Sequence, residues 1–409
     1  MPATLLETAD TSEADPDGTA ALRVRRLRAR RVTWGLPSVD LVTNLVDTFA
    51  EAEELYFDDA FNDSLEVGVW PSRLRSLEFG KGSRFNQPIG SLAWLVSLLR
   101  LKFGYSFNQP IEGVTWPSSL FQLEFGHLFN QPMNQVNWPI PLQRLTFGTR
   151  FNQPIDKVSW PTSLQVLIFG GDFNQPLDEV SWPPWLQLLG FVGCFDQPVD
   201  GVSWPSFLQV LSFGVFFNQP IKGVTWPTSL RVLTFGYAFN HPIEGICLPS
   251  SLHTLSFGST FDQPIEGVTW PTHLRQLVLG WMFNKSVERV AWPMSLQQLE
   301  FGRRFNQPME AVVWPEWLQQ LMFGDAFHQP IEGVTWPPSL VQLSFGIFFD
   351  HPVEEVAWPA LLQVLTFETV ERVKWPTSLQ RLTFGWDFDQ PIEGATWPPS
   401  LEELRLGYL

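Results

Sequence analysis

The chain has 409 residues, a formal net charge of −16, 44% hydrophobic residues, and 35 Phe and 20 Trp against only 4 Tyr. Such an apolar share excludes wholesale disorder, and no apolar run reaches the eighteen or so residues that a membrane span needs. The acidic balance argues against non-specific nucleic-acid binding, and two cysteines, Cys194 and Cys247, cannot build a disulfide framework.

Residues 1–20 are acidic, small and polar and are expected to form a disordered tail. Six arginines follow within residues 23–31: Arg23, Arg25, Arg26, Arg28, Arg30 and Arg31. They read either as a solvated strand or helix beside the first structured coil, or as a nuclear-import or anionic-partner signal. Val39, Leu41, Val42, Leu45, Val46 and Phe49 then show a mixed helical spacing. We expect a short helix there that covers an open end of the fold, which makes residues 21–54 a basic segment and N-terminal cap.

From residue 55 the chain repeats itself. Phe-Asn-Gln-Pro or a close variant recurs every 22 residues from Phe85 to Phe349, twelve unbroken periods, and Trp-Pro runs in phase from Trp116 to Trp358 with Leu248 in one place. Counting the Trp as place one, the unit Trp116–Asn137 carries apolar residues at places one, five, eight, ten, fourteen, eighteen and twenty-one. The unit beginning at Trp70 has two extra residues, and the one beginning at Trp358 has only 17.

Places eight and ten, as in Leu123-Glu124-Phe125, alternate with a polar residue and predict a short strand with one face turned inward. Gly126 follows at a tight bend, and Pro117 and Pro132 lie too close together for a helix of normal length. The unit is therefore one coil of a parallel β-solenoid. A single coil cannot bury enough surface to offset the ordering of its own backbone, so the coils must stack. The Phe and Trp excess then reads as columns of core residues. The Asn after each loop Phe reads as a column that satisfies backbone groups in a turn.

Pro-x-Ser-Leu, Leu-x-Phe-Gly and Phe-Asn-Gln-Pro-Ile, as in Pro161–Gly170 and Phe151–Ile155, resemble the FNIP repeat, a leucine-rich-repeat variant of about 22 residues. The resemblance covers residues 55–409 and implies a right-handed, leucine-rich-repeat-type parallel β-solenoid used for partner recognition. Trp stands before Pro where many family members have Leu. Some members pair the repeats with an F-box or a kinase domain, which implies an adaptor in ubiquitin ligation as an alternative role. Only about twenty residues separate Leu36 from the first recognisable strand, too few for a complete F-box, and no kinase signature is present.

No enzyme, cofactor or metal site can be assembled. Of the six histidines only His241 and His351 share a place in the unit, and no Ser-His-Asp, Cys-His or phosphate-loop pattern forms. An acidic column that includes Glu112, Asp156, Asp178, Asp200 and Glu244 reads as a solvated rim, with a cation-binding edge as the alternative. Thr or Ser before the Trp, as at Thr115 and Thr225, raises an ice-binding alternative that β-propensity explains more simply. The outward strand places and the turn after the strand vary from unit to unit. They nominate Arg100, Lys102, Glu124, Arg144 and Arg150 toward the N-terminus, and Trp281, Met282, Glu300, Arg303, Arg304 and Asp325 toward the C-terminus, as partner-binding residues. The expectation is a monomeric, cytoplasmic, non-catalytic protein-binding scaffold without nucleic-acid or membrane partners. The arginines between Arg23 and Arg31 leave a nuclear location open.

Overall fold

The computed structural model describes residues 31–34, 51–65, 70–90, 92, 95–353, 355–366, 375–384 and 397–406. The expected tail over residues 1–20 and the expected capping helix around Val39–Phe49 lie outside the described residues. Among the described residues every regular element is a strand of three or four residues, and there is no helix.

The strands are β1 (Arg31–Trp34), β2 (Glu54–Phe57), β3 (Ser76–Phe79), β4 (Arg100–Lys102), β5 (Gln122–Glu124) and β6 (Arg144–Thr146). Next come β7 (Val166–Phe169), β8 (Leu188–Phe191), β9 (Val210–Ser212), β10 (Val232–Thr234), β11 (Thr254–Ser256) and β12 (Gln276–Val278). The last are β13 (Gln298–Glu300), β14 (Gln320–Met322), β15 (Gln342–Ser344), β16 (Val364–Thr366), β17 (Arg381–Phe384) and β18 (Glu403–Leu406). Successive strands pair in parallel, and from β2 to β18 leucine stands opposite leucine, as in Leu101↔Leu123↔Leu145. Register holds across the short unit too, where Leu365 faces Leu382 although only 17 residues intervene. β1 pairs with β2, Arg31 opposite Glu54, so the sheet begins one strand before residue 55 and includes the last of the six arginines.

Three tight turns recur in the regular coils. In one coil the Val114 amide donates to the Ile111 carbonyl at 3.3 Å, Leu120 to Pro117 at 3.1 Å and Phe129 to Gly126 at 3.3 Å. Each turn begins with an apolar residue, proline or glycine and returns an apolar side chain to the interior. Leu123, Phe129 and Leu145 are fully buried, and equivalent residues line the whole solenoid. The two Phe of a coil stack, with Phe103 and Phe107 centroids 3.8 Å apart, and Phe107 continues onto Phe129 of the next coil at 6.1 Å. The aromatic excess is this column.

Polar groups join the coils as regularly. The Asn130 amide donates to Asn108 Oδ1 at 2.9 Å, Asn152 to Asn130 at 2.9 Å, and Asp196 to Asn174 at 2.9 Å. Twelve successive amides, from Asn86 to His328, use the side chain one coil back in this way. The following Gln reinforces it: Gln153 Nε2 donates to both the Asn130 carbonyl and its Oδ1. Where Asp262 replaces the Asn, Lys285 replaces the Gln and pairs with it at 2.8 Å. The serine of Pro-x-Ser-Leu serves the same end, Ser119 Oγ donating to the Leu98 carbonyl at 2.8 Å and Ser229 to Leu208 at 2.7 Å.

Glycine at place eleven is dictated by this stacking. A Cβ on Gly148 would lie 1.7 Å from the Gly126 carbonyl oxygen. Gly148→Ala is therefore expected to lower unfolding free energy by about 3 kcal/mol or more, because the coils must part to admit the methyl group. Asn152→Ala strands the Asn174 amide and removes one of the two acceptors of Gln175 Nε2, and is expected to cost about 1–3 kcal/mol. Asn152→Asp keeps the acceptor and is expected to cost less than half as much. Urea titrations of the three variants check both statements.

Candidate interaction surface on the strand face

In β4–β6, β13 and β14 the inward leucine leaves the residues on either side pointing out of the sheet, half-buried or exposed. The nominated residues fall into two groups. Arg100, Lys102, Glu124 and Arg144 share β4–β6, where Lys102 faces Glu124 and pairs with it through Nζ and Oε1. Arg150 lies on the turn after β6 and pairs with Asp172 one coil on at 3.0 Å. Trp281, Arg303 and Asp325 occupy the same turn place in three successive coils. The Arg303 guanidinium sits 4.8 Å over the Trp281 ring and pairs with Asp325. Met282 and Arg304 flank them, and Glu300 lies on β13 between Val278 and Met322. Six strand spacings of ~4.8 Å separate β6 from β12, so the two groups stand about 30 Å apart and form no single site.

Between them lies an aliphatic region. Val166, Leu188, Val210 and Val232 stand side by side on the outer face of β7–β10. Beyond the same strands, Val192 is the sole departure from Gly at place eleven between Gly80 and Gly346. The close approach moves one place on, where a Cβ on Gly193 would meet the Gly171 oxygen at 2.2 Å, and Val192 is pushed out to 57% exposure. Exposed Val215, Phe216 and Tyr237 continue this apolar edge. The signal was present in the sequence as a run of aliphatics at place seven.

Histidines meet although they do not share a place. His328 and His351 have ring centroids 4.5 Å apart, and His328 Nδ1 lies 3.0 Å from Asp350 Oδ1. The ladder explains why: the residue at place fifteen meets place sixteen of the next coil, an offset of 23 rather than 22, as with Asn130 and Gln153. Cys194 and Cys247 are free. Among the described residues no group of three or more His, Cys, Asp or Glu is arranged to hold a metal, and no helix is long and apolar enough to cross a membrane.

The model of the FNIP repeat matches residues 53–82, 85–127, 129–172, 217–260, 305–348 and 375–409, more than half of the chain. The chain belongs to the FNIP-repeat family. No protein of curated function matches this FNIP-repeat chain by sequence. Among solved structures it is similar to CroV588, described as a novel circular LRR protein, at 35% identity and a TM-score of 0.60 over 88% of this chain. It spans 63% of that neighbour's length. A leucine-rich-repeat protein of Leptospira interrogans matches at 17% identity and a TM-score of 0.53, over 86% of this chain and 87% of its own. A chain of the Drosophila Toll–Spatzle complex matches at 12% identity and a TM-score of 0.56, over 87% of this chain and 57% of its own. The last two share the leucine-rich-repeat fold alone.

The exposed turn cluster contributes little to folding, since a surface cation–π contact and ion pair are each worth about 1 kcal/mol or less. Trp281→Ala and Arg303→Gln are each expected to move the unfolding free energy by no more than about 1 kcal/mol, read from urea titration. A larger loss would show that this cluster staples the coils instead of serving as surface.

Proposed function

We propose that this FNIP-repeat solenoid is a non-catalytic scaffold that binds a protein partner on the outer face of its parallel sheet. The observation that carries the reading is the contrast across each strand. Leu at the inward place repeats from β3 to β18, while the flanking outward places run through Arg, Lys, Glu, Gln, Val, Thr, Ser and Met. A rigid backbone with one repeated side and one varied side presents a surface whose chemistry changes along its length without disturbing the fold. The leucine-rich-repeat architecture of its neighbours supports the same reading.

The test uses a partner captured on the full-length protein and then purified. Replacing Trp281, Arg303 and Arg304 together is expected to weaken that partner at least tenfold. A control that converts Glu112, Asp178 and Asp200 on the acidic rim to Gln is expected to leave it within twofold. Weakening by the rim variant alone would contradict the proposal.

A further inference from the structure

The serine of Pro-x-Ser-Leu holds successive coils together through its hydroxyl, yet some units do without it. Trp185, Phe207 and His273 stand at this place, where Ser119, Ser229 and Ser251 donate to a carbonyl of the previous coil. Trp185 and Phe207 lie on adjacent coils with ring centroids 4.6 Å apart, and they remain 53% and 47% exposed. These rings give up an inter-coil hydrogen bond and, though stacked on each other, leave about half of their surface in solvent.

Two places further along the next coils a row of basic residues begins. The Arg231 carbonyl accepts from the His253 amide at 2.8 Å, and the His253 carbonyl accepts from the Arg275 amide at 2.8 Å. The backbone thus fixes Arg231, His253 and Arg275 on three successive coils, the first of which follows the coil of Phe207. His273 joins them, its ring 6.3 Å from that of His253. Each imidazole donates Nδ1–H to a carbonyl, His253 to Ser251 at 2.6 Å and His273 to Ser250 at 2.9 Å, which leaves Nε2 of each outside these bonds.

The row is also free of acid. Lys102, Arg150, Lys285 and Arg303 each pair with an Asp or Glu one coil away. Residues 182–190, 204–212, 226–234, 248–256 and 270–278, the first nine places of five successive units, contain no Asp or Glu, as in most units of the chain. Arg231 and Arg275 therefore make this stretch locally positive in a chain of net charge −16. Arg231 and Arg275 are exposed and join no ion pair among the described residues.

We propose that Trp185, Phe207, Arg231, His253, His273 and Arg275 form a docking site for an extended acidic segment of a partner protein. This rests on the scaffold reading above and adds a second contact, for one extended segment of the partner, apart from the Trp281 turn. The aromatic pair takes an apolar side chain and the two arginines take two carboxylates. The arginines are two coils apart, about 10 Å at ~4.8 Å per strand. A polyproline-type segment advances ~3.1 Å per residue with three residues per turn, so acids at i and i+3 share a face at a matching ~9 Å. The segment would run along the solenoid axis with its apolar residue just ahead of the first acid. A nucleic acid is disfavoured, because two fixed charges neutralise few phosphates against the field of the whole acidic chain.

The test is selection of random dodecapeptides on the full-length protein, followed by fluorescence anisotropy with the enriched peptides. Enriched peptides are expected to carry two acids three residues apart beside a large apolar residue. Arg231→Gln combined with Arg275→Gln should weaken them at least tenfold and Phe207→Ser about fivefold, each with an unchanged circular dichroism spectrum. The Trp281, Arg303 and Arg304 replacement, on the turn at the far end of the strands, should leave peptide affinity within twofold. Enriched peptides without acids, or affinity within twofold in the double-arginine variant, would overturn the proposal. So would a twenty-nucleotide oligo(dT) that displaces the peptides with comparable affinity. Peptides that respond only to the turn replacement would overturn this site while leaving the scaffold reading intact.

Discussion

The fold follows from one constraint: the chain must return to the same point, displaced by one strand spacing, once per unit, which in most units is 22 residues. A coil three or four strand residues wide cannot satisfy its own backbone, so the donors and acceptors it leaves open are met by the coil above or below. The strand does this through parallel pairing, the loop through the Asn and Gln ladder, and the turn before the strand through a serine hydroxyl. Once the polar groups are tied in this way, the remaining places can be filled by columns of identical apolar rings. The ladder also explains paired replacements such as Asp262 with Lys285, where a changed acceptor is met by a changed donor one coil on.

The same constraint separates structure from function. At an inward or ladder place a deviation costs stability, so most deviations are repaired nearby. Val192 is repaired by the glycine pair Gly171 and Gly193. Trp185 and Phe207 have no such repair, and a row of basic residues that contains no acid follows them. The informative residues are those for which the stack pays without compensation.

Much of the fold was legible because the period is strict. Leu123 and Phe125 in alternation, two closely spaced prolines and the phase-locked Trp-Pro together leave a parallel solenoid as the only economical reading, and the sheet has that register. β1 was not legible, since Arg31–Trp34 carries no marker of the unit beyond its final aromatic. The Asn column was recognised as structural, but its direction was not: it serves the coil that follows, which shifts meeting residues by one place and brings His328 to His351. The candidate surface was read only in part. Variation drew attention to Trp281 and Arg303, whereas the significance of Trp185, Phe207 and Arg231 depends on knowing that the serine they displace or adjoin is an inter-coil donor.

The most direct test of coil-to-coil satisfaction is amide hydrogen exchange on the intact protein, resolved by residue. The amides of Asn130, Asn152 and Asn174, which lie in loops but donate one coil back, should be protected as strongly as the strand amides of Leu123 and Leu145. Amides at places three and nineteen, such as Ser118 and Glu112, should exchange orders of magnitude faster. Loop asparagine amides that exchange at the rate of Ser118 would contradict the account, because the ladder would then not join the coils.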